Sequence, residues 1–428
     1  MPEPAPSPAS APVPEPTPVL HVITRLANGG AAENTIYSVN GLDPRRWKVD
    51  LAIGGRPGAD EDDQVEKLAI ADHVTVHRIP TLVRNPGPGE FRALGDLRRL
   101  IREGGYRIVH THGAKAGILA RIAARKEGVP VIINGIHGHS FSPQMNPIAR
   151  LVYRTIERRV ARYTTHFVSV GDDLRTQYLE AGVGAAPDYS VIHSGMELTR
   201  FIEAGRMDTE ERAALRGSFG IPADAVVFAN IARMEPRKGH RFFLEAAAGL
   251  TGAGLAAGNT PGTDPRTTDP VTTDAAAPHA VQPWFVIVGD GPEEAALRAQ
   301  ATELGIADRV VFTGYRRDVE KMFGMSDVIV LTSLWEGLPR VLVQAAAAGR
   351  PAISFACDGA HEVIADGKNG WVVPMRDTAA VRDRMAQLLE DAALRASFGV
   401  AARANVNESW TVEAMVAQID DLYRRLLA

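Results

Sequence analysis

The residues best suited to chemistry lie in a few short stretches. In Ala232-Arg-Met-Glu-Pro-Arg-Lys-Gly-His240, Arg233 and Lys238 stand five apart across a turn. Two cations on one loop can neutralise the charge that develops on a diphosphate leaving group without a metal. A pair of solvated loop residues would read the same way. The stretch Ser333-Leu-Trp-Glu-Gly-Leu-Pro-Arg-Val-Leu-Val-Gln344 reads as a turn entering a helix, with Pro339 at its first position. Glu336 is an acceptor just before that helix, and Gln344 a second polar contact roughly 7 Å further along its axis. A helix start also favours an anion such as phosphate. Acceptor, anion site and second contact would suit a sugar, a diphosphate and a ribose in turn.

Histidines and glycines supply further candidates. Gly135-Ile-His-Gly-His-Ser-Phe141 places His137 and His139 beside glycines at the carboxyl end of a predicted strand. His110 and His112, in His110-Thr-His-Gly113, admit a structural role, and no carboxylate spacing accompanies these histidines to support zinc. Gly29 and Gly30 form a turn before a predicted helix, where a backbone can approach a ligand. Gly289-Asp-Gly291 resembles a dinucleotide fingerprint, but Glu294 stands where its third glycine belongs. His361-Glu362 begins like a zinc-protease helix, yet the fifth position is Ala365. Neither a Gly-x-Ser-x-Gly elbow nor a Walker phosphate loop occurs.

The elements that must position these residues alternate. Strands are predicted at 19–24, 49–53, 74–79, 107–111, 129–133, 166–170 and 189–193, with helices at 90–103, 115–127, 147–163 and 171–181. A second series has strands at 226–231, 284–288, 309–312, 327–331 and 351–354, with helices at 239–250, 292–304, 318–325 and 338–348. Such alternation means crossover units and doubly wound parallel sheets. A chain of 428 residues exceeds what one core usually serves. The expected division is a disordered Pro/Ala-rich tail at 1–18, a first Rossmann-like domain at 19–195, a second at 196–410 and a last helix at 411–428. Residues 251–283, rich in Ala, Thr, Gly, Pro and Asp, read as a disordered insertion.

Bulk properties exclude several classes. Hydrophobic residues make up 45% and charged ones 23%, as in an ordinary globular protein. The single cysteine, Cys357, excludes a disulfide framework and fits a reducing compartment. A net charge of −4 argues against a general nucleic-acid binder, and no apolar run reaches the ~20 residues of a membrane span. Residues 84–162 nevertheless hold 15 basic and 5 acidic residues. Arg150, Arg154 and Arg158 recur every fourth position in the 147–163 helix, whose Ile148, Leu151, Val152, Ile156 and Val160 are expected to pack on the sheet. The arginines would then be either a solvated face or a contact for anionic lipid.

From Val19 to the C-terminus, tail and insertion apart, the chain resembles the retaining family 4 glycosyltransferases. The resemblance rests on Arg233 and Lys238, on Gly289-Asp-Gly-Pro292, and on Glu336 with the helix after it, in the family's order. It implies the GT-B fold, an α/β architecture of two facing Rossmann-like domains with an interdomain cleft, and a last helix that packs back on the first domain. It also implies transfer from a nucleotide-diphosphate sugar, expected to be UDP-linked, by a metal-independent enzyme of hexosyl or N-acetylhexosaminyl type with no cofactor. Arg233 and Lys238 would hold the diphosphate, and His137 would touch the donor sugar. Gly29, Gly30, Gly289, Gly291, Tyr315, Gly337, Leu338 and Gln344 would lie on the donor side. His139, Arg154 and Arg158 are candidates for the acceptor or membrane side. The family carries a second Glu seven residues beyond the first, where this chain has Gln344. Gln keeps an acceptor oxygen but loses the charge. The expected partners are a nucleotide sugar, a glycan or lipid-linked acceptor and an anionic membrane surface. The expected place is the cytoplasm, peripheral at the inner face of the membrane. Alternatives are a non-catalytic nucleotide-sugar binder and a nucleotide-sugar epimerase.

Overall fold

Strand and helix alternate to build two parallel sheets. The computed structural model describes residues 15–26, 29–55, 69–83, 87, 89–142, 145–252 and 281–428. Most of the expected tail (1–14), Asn28 of the first glycine turn and most of the expected insertion (253–280) lie outside the described residues.

The first sheet contains β1 (Thr17–Ile23), β2 (Trp47–Gly54), β3 (Thr75–Ile79), β4 (Ile108–His112), β5 (Val131–Ile136), β6 (His166–Ser169) and β7 (Tyr189–Val191). Its order is β3-β2-β1-β4-β5-β6-β7. The second contains β8 (Val226–Ile231), β9 (Pro283–Val288), β10 (Val310–Gly314), β11 (Val328–Leu331), β12 (Ala352–Phe355) and β13 (Gly370–Val373), in the order β10-β9-β8-β11-β12-β13. In each sheet the winding reverses beside the first strand, at β1/β4 and at β8/β11. Loops diverge there at the strands' carboxyl ends, the usual ligand position of a doubly wound sheet.

Both sheets read as apolar runs because helices cover their faces. The helix Glu90–Gly104 buries Ala93, Leu97 and Ile101, four residues apart, and ends at Gly105 with φ 58. Those side chains join Leu20, Val22, Val109 and Ile132 in the first core. Phe228, Phe243, Phe285, Ile287 and Met385 anchor the second.

The chain forms two compact units, Met1–Val168 with Ala181–Ser190 and Val416–Ala428, and Ser169–Glu180 with Val191–Met415. The closing helix Val412–Leu427 therefore contributes its residues from Val416 to the first unit. Asp420 accepts from Trp47 Nε1 at 2.7 Å and from Arg46 at 2.8 Å. Residues 196–224 hold two helices, Thr199–Gly205 and Thr209–Gly217. Strand β13 and the helices Thr378–Glu390 and Ala392–Asn405 also go beyond the elements expected from sequence.

One expectation is overturned in part: of the five apolar residues expected on the sheet, Val160 is buried and Ile156 half-buried, but the other three are not. In the helix Pro147–Val160, the apolar residues Ile148, Leu151 and Val152 are exposed, at 74%, 54% and 48%, while Glu157 and Val160 are buried. Glu157 reaches the fully buried Arg121 at 2.6 Å. This buried ion pair sets the helix's rotation, so its amino-terminal apolar stripe faces solvent.

Candidate active site

At the β8/β11 reversal two loops are stitched together. Asn230 Nδ2 donates to Thr332 Oγ1 at 3.1 Å, and Thr332 Oγ1 donates to the Gly239 carbonyl at 2.9 Å. The Leu334 N–H donates to the Arg237 carbonyl at 2.8 Å. Gly239, at φ +63, has no room for a side chain, since a Cβ would lie 2.2 Å from the Thr332 carbonyl. These contacts bring Lys238 Nζ to Glu336 Oε1 at 2.5 Å.

Around that pair the charges interleave. Glu235 accepts from Arg233 Nε and Arg237 Nε, each at 3.0 Å, and Arg237 lies 4.0 Å from Glu336. Three cations thus face two carboxylates on one loop pair, leaving net positive charge for an anion. Arg237 and Glu235 were not singled out from sequence. Their motif is visible there, but which of two adjacent cations turns inward depends on the short 3-10 turn Pro236–Lys238.

Burial completes the electrostatics. His240 is fully buried, and its pKa is pushed down to about 4 by burial and then by the Lys238 charge. Burial, followed by the Glu336 carboxylate, pushes the Cys357 thiol up, so it is protonated and inert as a nucleophile. Ser333 Oγ, fully buried two residues beyond the end of β11, has no hydrogen-bond partner. Sequence marked Ser333 only as the start of a motif. Its buried, unpaired hydroxyl is a signal that only the fold supplies.

The remaining second-unit candidates fall nearby in the chain fold. Pro339 is the residue before the helix Arg340–Ala347, one position earlier than expected, and Gln344 is half-buried inside it. Gly337 and Leu338 are buried. A Cβ at Gly359 would press on Pro339 Cδ at 2.9 Å, which ties the 358–362 loop to that helix start. Glu362 accepts from the Asp172 N–H at 2.8 Å and meets His193 Nε2 at 3.0 Å, a structural role. Tyr315 is exposed after β10, next to Gly314, whose carbonyl receives the Gly289 N–H at 3.0 Å.

Gly289 and Gly291 act on the Arg233 loop. A Cβ at Gly289 (φ +135) would lie 2.2 Å from the Ala232 carbonyl, and one at Gly291 (φ +151) 2.5 Å from that of Met234. The Met234 N–H donates to the Asp290 carbonyl at 2.7 Å. The turn therefore buttresses the cationic loop. Gly291→Ala is expected to strain the turn, lower the melting temperature and cut kcat/KM at least tenfold by displacing Arg233, whereas Asp290→Ala should do neither. Steady-state kinetics and thermal melts of both variants check this.

At the β1/β4 reversal the first unit gathers histidines. His21 pairs in register with His110, and His112 with Gly135, so the parallel strands set these rings on one face. His21 Nδ1 meets His112 Nε2 at 2.9 Å, and His112 Nδ1 meets His137 Nε2 at 2.9 Å. Tyr423 Oη lies 2.7 Å from His110 Nδ1 and 3.0 Å from His21 Nε2. Burial pushes His21 down to about 3 and His137 to about 4, and holds His110 and His112 well below their ordinary value. Burial thus favours the neutral form of all four rings. Nitrogens of His21, His110 and His112 lie within 4.8 Å of one another, the one group among the described residues that a metal ion could use. His137, expected at the donor side, is half-buried at the outer end of this cluster, and His139 beyond it is also half-buried. Gly29 (φ +149) precedes the helix Gly30–Gly41, with open space around it.

Comparison with known proteins places these features in a family. Residues 29–195 match a glycosyl transferase 4-like domain, and residues 211–405 match glycosyl transferases group 1. The chain belongs to the group 1 glycosyltransferases. Its relatives include the Escherichia coli UDP-Gal:alpha-D-GlcNAc-diphosphoundecaprenol alpha-1,3-galactosyltransferase, 28% identical over 82% of this chain and 84% of that one. The GDP-mannose-dependent alpha-(1-6)-phosphatidylinositol monomannoside mannosyltransferase of Mycobacterium tuberculosis is 28% identical over 94% and 92%. Among solved structures, Anabaena HepE in complex with UDP-glucose aligns at TM-score 0.74 with 20% identity, over 95% of this chain and 99% of that one. The fold of this glycosyltransferase is thus GT-B, two parallel-sheet α/β domains.

Proposed function

We propose that this glycosyltransferase moves a hexosyl or N-acetylhexosaminyl group, with retention, from a UDP-linked donor to a lipid-linked glycan acceptor. The observation that carries the reading is the cluster at the β8/β11 reversal, where Lys238 and Glu336 meet at 2.5 Å beside Arg233 and Arg237. In the reaction the bond from the anomeric carbon to the diphosphate breaks, and an acceptor oxygen bonds that carbon on the same face. The acceptor's proton passes to the leaving phosphate. Arg233 and Lys238 take up the diphosphate charge, work that other enzymes assign to a metal, so activity in EDTA is expected. Glu336 accepts from sugar hydroxyls, and Gln344 accepts from a ribose hydroxyl without a charge.

The test incubates the enzyme with UDP-sugars or GDP-mannose, with and without a polyprenyl-diphosphate GlcNAc acceptor. Acceptor-dependent UDP release with an α-linked product supports the reading. Isomerised sugar would make it an epimerase, and binding without turnover a degenerate binder, for which Gln344 is the motive. GDP-mannose as the better donor would reverse the choice of base.

The helix Pro147–Val160 supports an anionic membrane surface as the place of the acceptor. Exposed Ile148, Leu151 and Val152 can enter the headgroup boundary while Arg150, Arg158 and the half-buried Arg154 meet lipid phosphates. No described helix is long and apolar enough to cross a membrane. Co-sedimentation is expected with vesicles containing phosphatidylglycerol but not phosphatidylcholine alone, fading with salt. Ile148→Ser/Leu151→Ser and Arg154→Glu/Arg158→Glu should each weaken it at least tenfold. Equal binding to neutral vesicles, or none, would point to a soluble acceptor.

A further inference from the structure

The histidine cluster of the first unit is ordered in one direction. Going inward, Nε2 of His137 meets Nδ1 of His112, and Nε2 of His112 meets Nδ1 of His21. Nε2 of His21 then meets the Tyr423 hydroxyl, which meets Nδ1 of His110. Every ring uses Nδ1 on its outer side and Nε2 on its inner side. Only the two ends, His137 Nδ1 and His110 Nε2, are buried nitrogens without a partner.

Neutral imidazole has one N–H and one lone pair, and a hydroxyl has one proton to donate. If His137 carries its proton on Nε2, His112 must accept at Nδ1 and so carries its own on Nε2. The same step repeats through His21 and Tyr423 to His110. If His137 carries its proton on Nδ1, every member reverses. At the two His–His links a mixed arrangement sets two N–H groups, or two lone pairs, against each other at 2.9 Å. At Tyr423 it leaves the hydroxyl proton or one ring nitrogen without a partner; both are costly in a buried site.

We propose that His137, His112, His21, Tyr423 and His110 form a head-to-tail relay that holds all four imidazoles in one common tautomer, so that Tyr423 is a positioning residue for the ligand face of His137. The relay denies His137 an independent choice between donor and acceptor at Nδ1. A ligand hydroxyl that meets Nδ1 is recognised by the whole relay, down to His110. Gly135 keeps the outermost link open: a Cβ there would lie 3.0 Å from His137 Nε2 and 3.2 Å from His112 Nδ1. The three inner histidines are less suited to a metal. Their ring planes stack, His110 on His112 at 4.5 Å and 28°, rather than converge, and the facing nitrogens of His21 and His112 are already bonded to each other. The ligand arm rests on the donor-sugar reading of His137; the relay itself does not.

The experiment is nitrogen NMR of the full protein labelled with 15N-histidine, which separates protonated from bare imidazole nitrogens. The expected ligand-free result is four neutral rings, all Nδ1–H or all Nε2–H. Tyr423→Phe, which keeps the ring, should free His110 from the state shared by the other three. Gly135→Ala, which replaces no member but sets a Cβ against the His137–His112 link, should free His137 instead and serves if the first variant fails to fold. Mixed tautomers in the unaltered protein, an imidazolium at neutral pH, or stoichiometric zinc found by elemental analysis would overturn the relay, as would variants that leave the tautomers unchanged. UDP-glucose should shift His137 and His110 together in the unaltered protein, and His137 with His112 and His21 but without His110 in Tyr423→Phe. A spectrum unmoved by UDP-glucose, with the ligand-free pattern intact, would count against the donor reading and leave the relay standing.

Discussion

Replacing Lys238 by alanine is expected to lower kcat/KM by about 100- to 1,000-fold, the scale of one lost electrostatic donor to a developing anion. The loss has two parts that can be separated. Lys238 Nζ holds Glu336 at 2.5 Å, and only 16% and 10% of the two side chains are exposed. Removing the lysine therefore leaves a largely buried carboxylate with Arg237 at 4.0 Å as its remaining cation. That uncompensated charge destabilises the loop pair in its own right. Lys238→Ala/Glu336→Gln removes the charge and should recover most of the lost melting temperature. It should not recover activity, because the diphosphate still lacks its cation. The two substitutions should accordingly be non-additive in stability, as contacting residues usually are. Turnover near the unaltered level in Lys238→Ala would remove the clamp from the mechanism.

The second-unit site was legible because each part sits on a loop directly after a strand. The sequence places Arg233 and Lys238 after β8 and Glu336 after β11, and strand order then brings both loops to one reversal. The role of Gly289 and Gly291 was less legible. Their spacing suggests contact with a nucleotide, whereas the geometry presses them on the carbonyls of Ala232 and Met234. The histidine relay could not be read along the chain. His21 and Tyr423 are 402 positions apart, and only parallel register and the closing helix bring them together. Periodicity likewise revealed an apolar stripe in the helix Pro147–Val160 and assigned all of it to the sheet, though Ile148, Leu151 and Val152 are exposed. Rotation there depends on Arg121, which lies on another helix.

Glu157→Ala is expected to destabilise the first unit by about 3–5 kcal/mol, the cost of stranding one member of a buried ion pair. Arg121 is fully buried, with Nε donating to the Gly117 carbonyl at 2.8 Å and one terminal nitrogen to Thr164 Oγ1 at 3.2 Å. Its remaining bond, 2.6 Å to Glu157, is the only one that balances its charge among the described contacts. For a unit of this size the melting temperature should fall by roughly 10 °C. Arg121→Met/Glu157→Met removes both charges and should come close to the unaltered stability, since well-packed apolar pairs often replace buried ion pairs at little cost. The double variant also separates stability from orientation. A methionine pair packs without the directional bond that fixes the helix's rotation, so Ile148, Leu151 and Val152 are free to turn inward. Binding to anionic vesicles should then weaken even where the melting temperature is restored. UDP affinity, measured by calorimetry, should hold in both variants because the proposed diphosphate clamp belongs to the second unit. Unchanged stability in Glu157→Ala would mean that Arg121 finds another partner and that the pair does not set the helix's rotation.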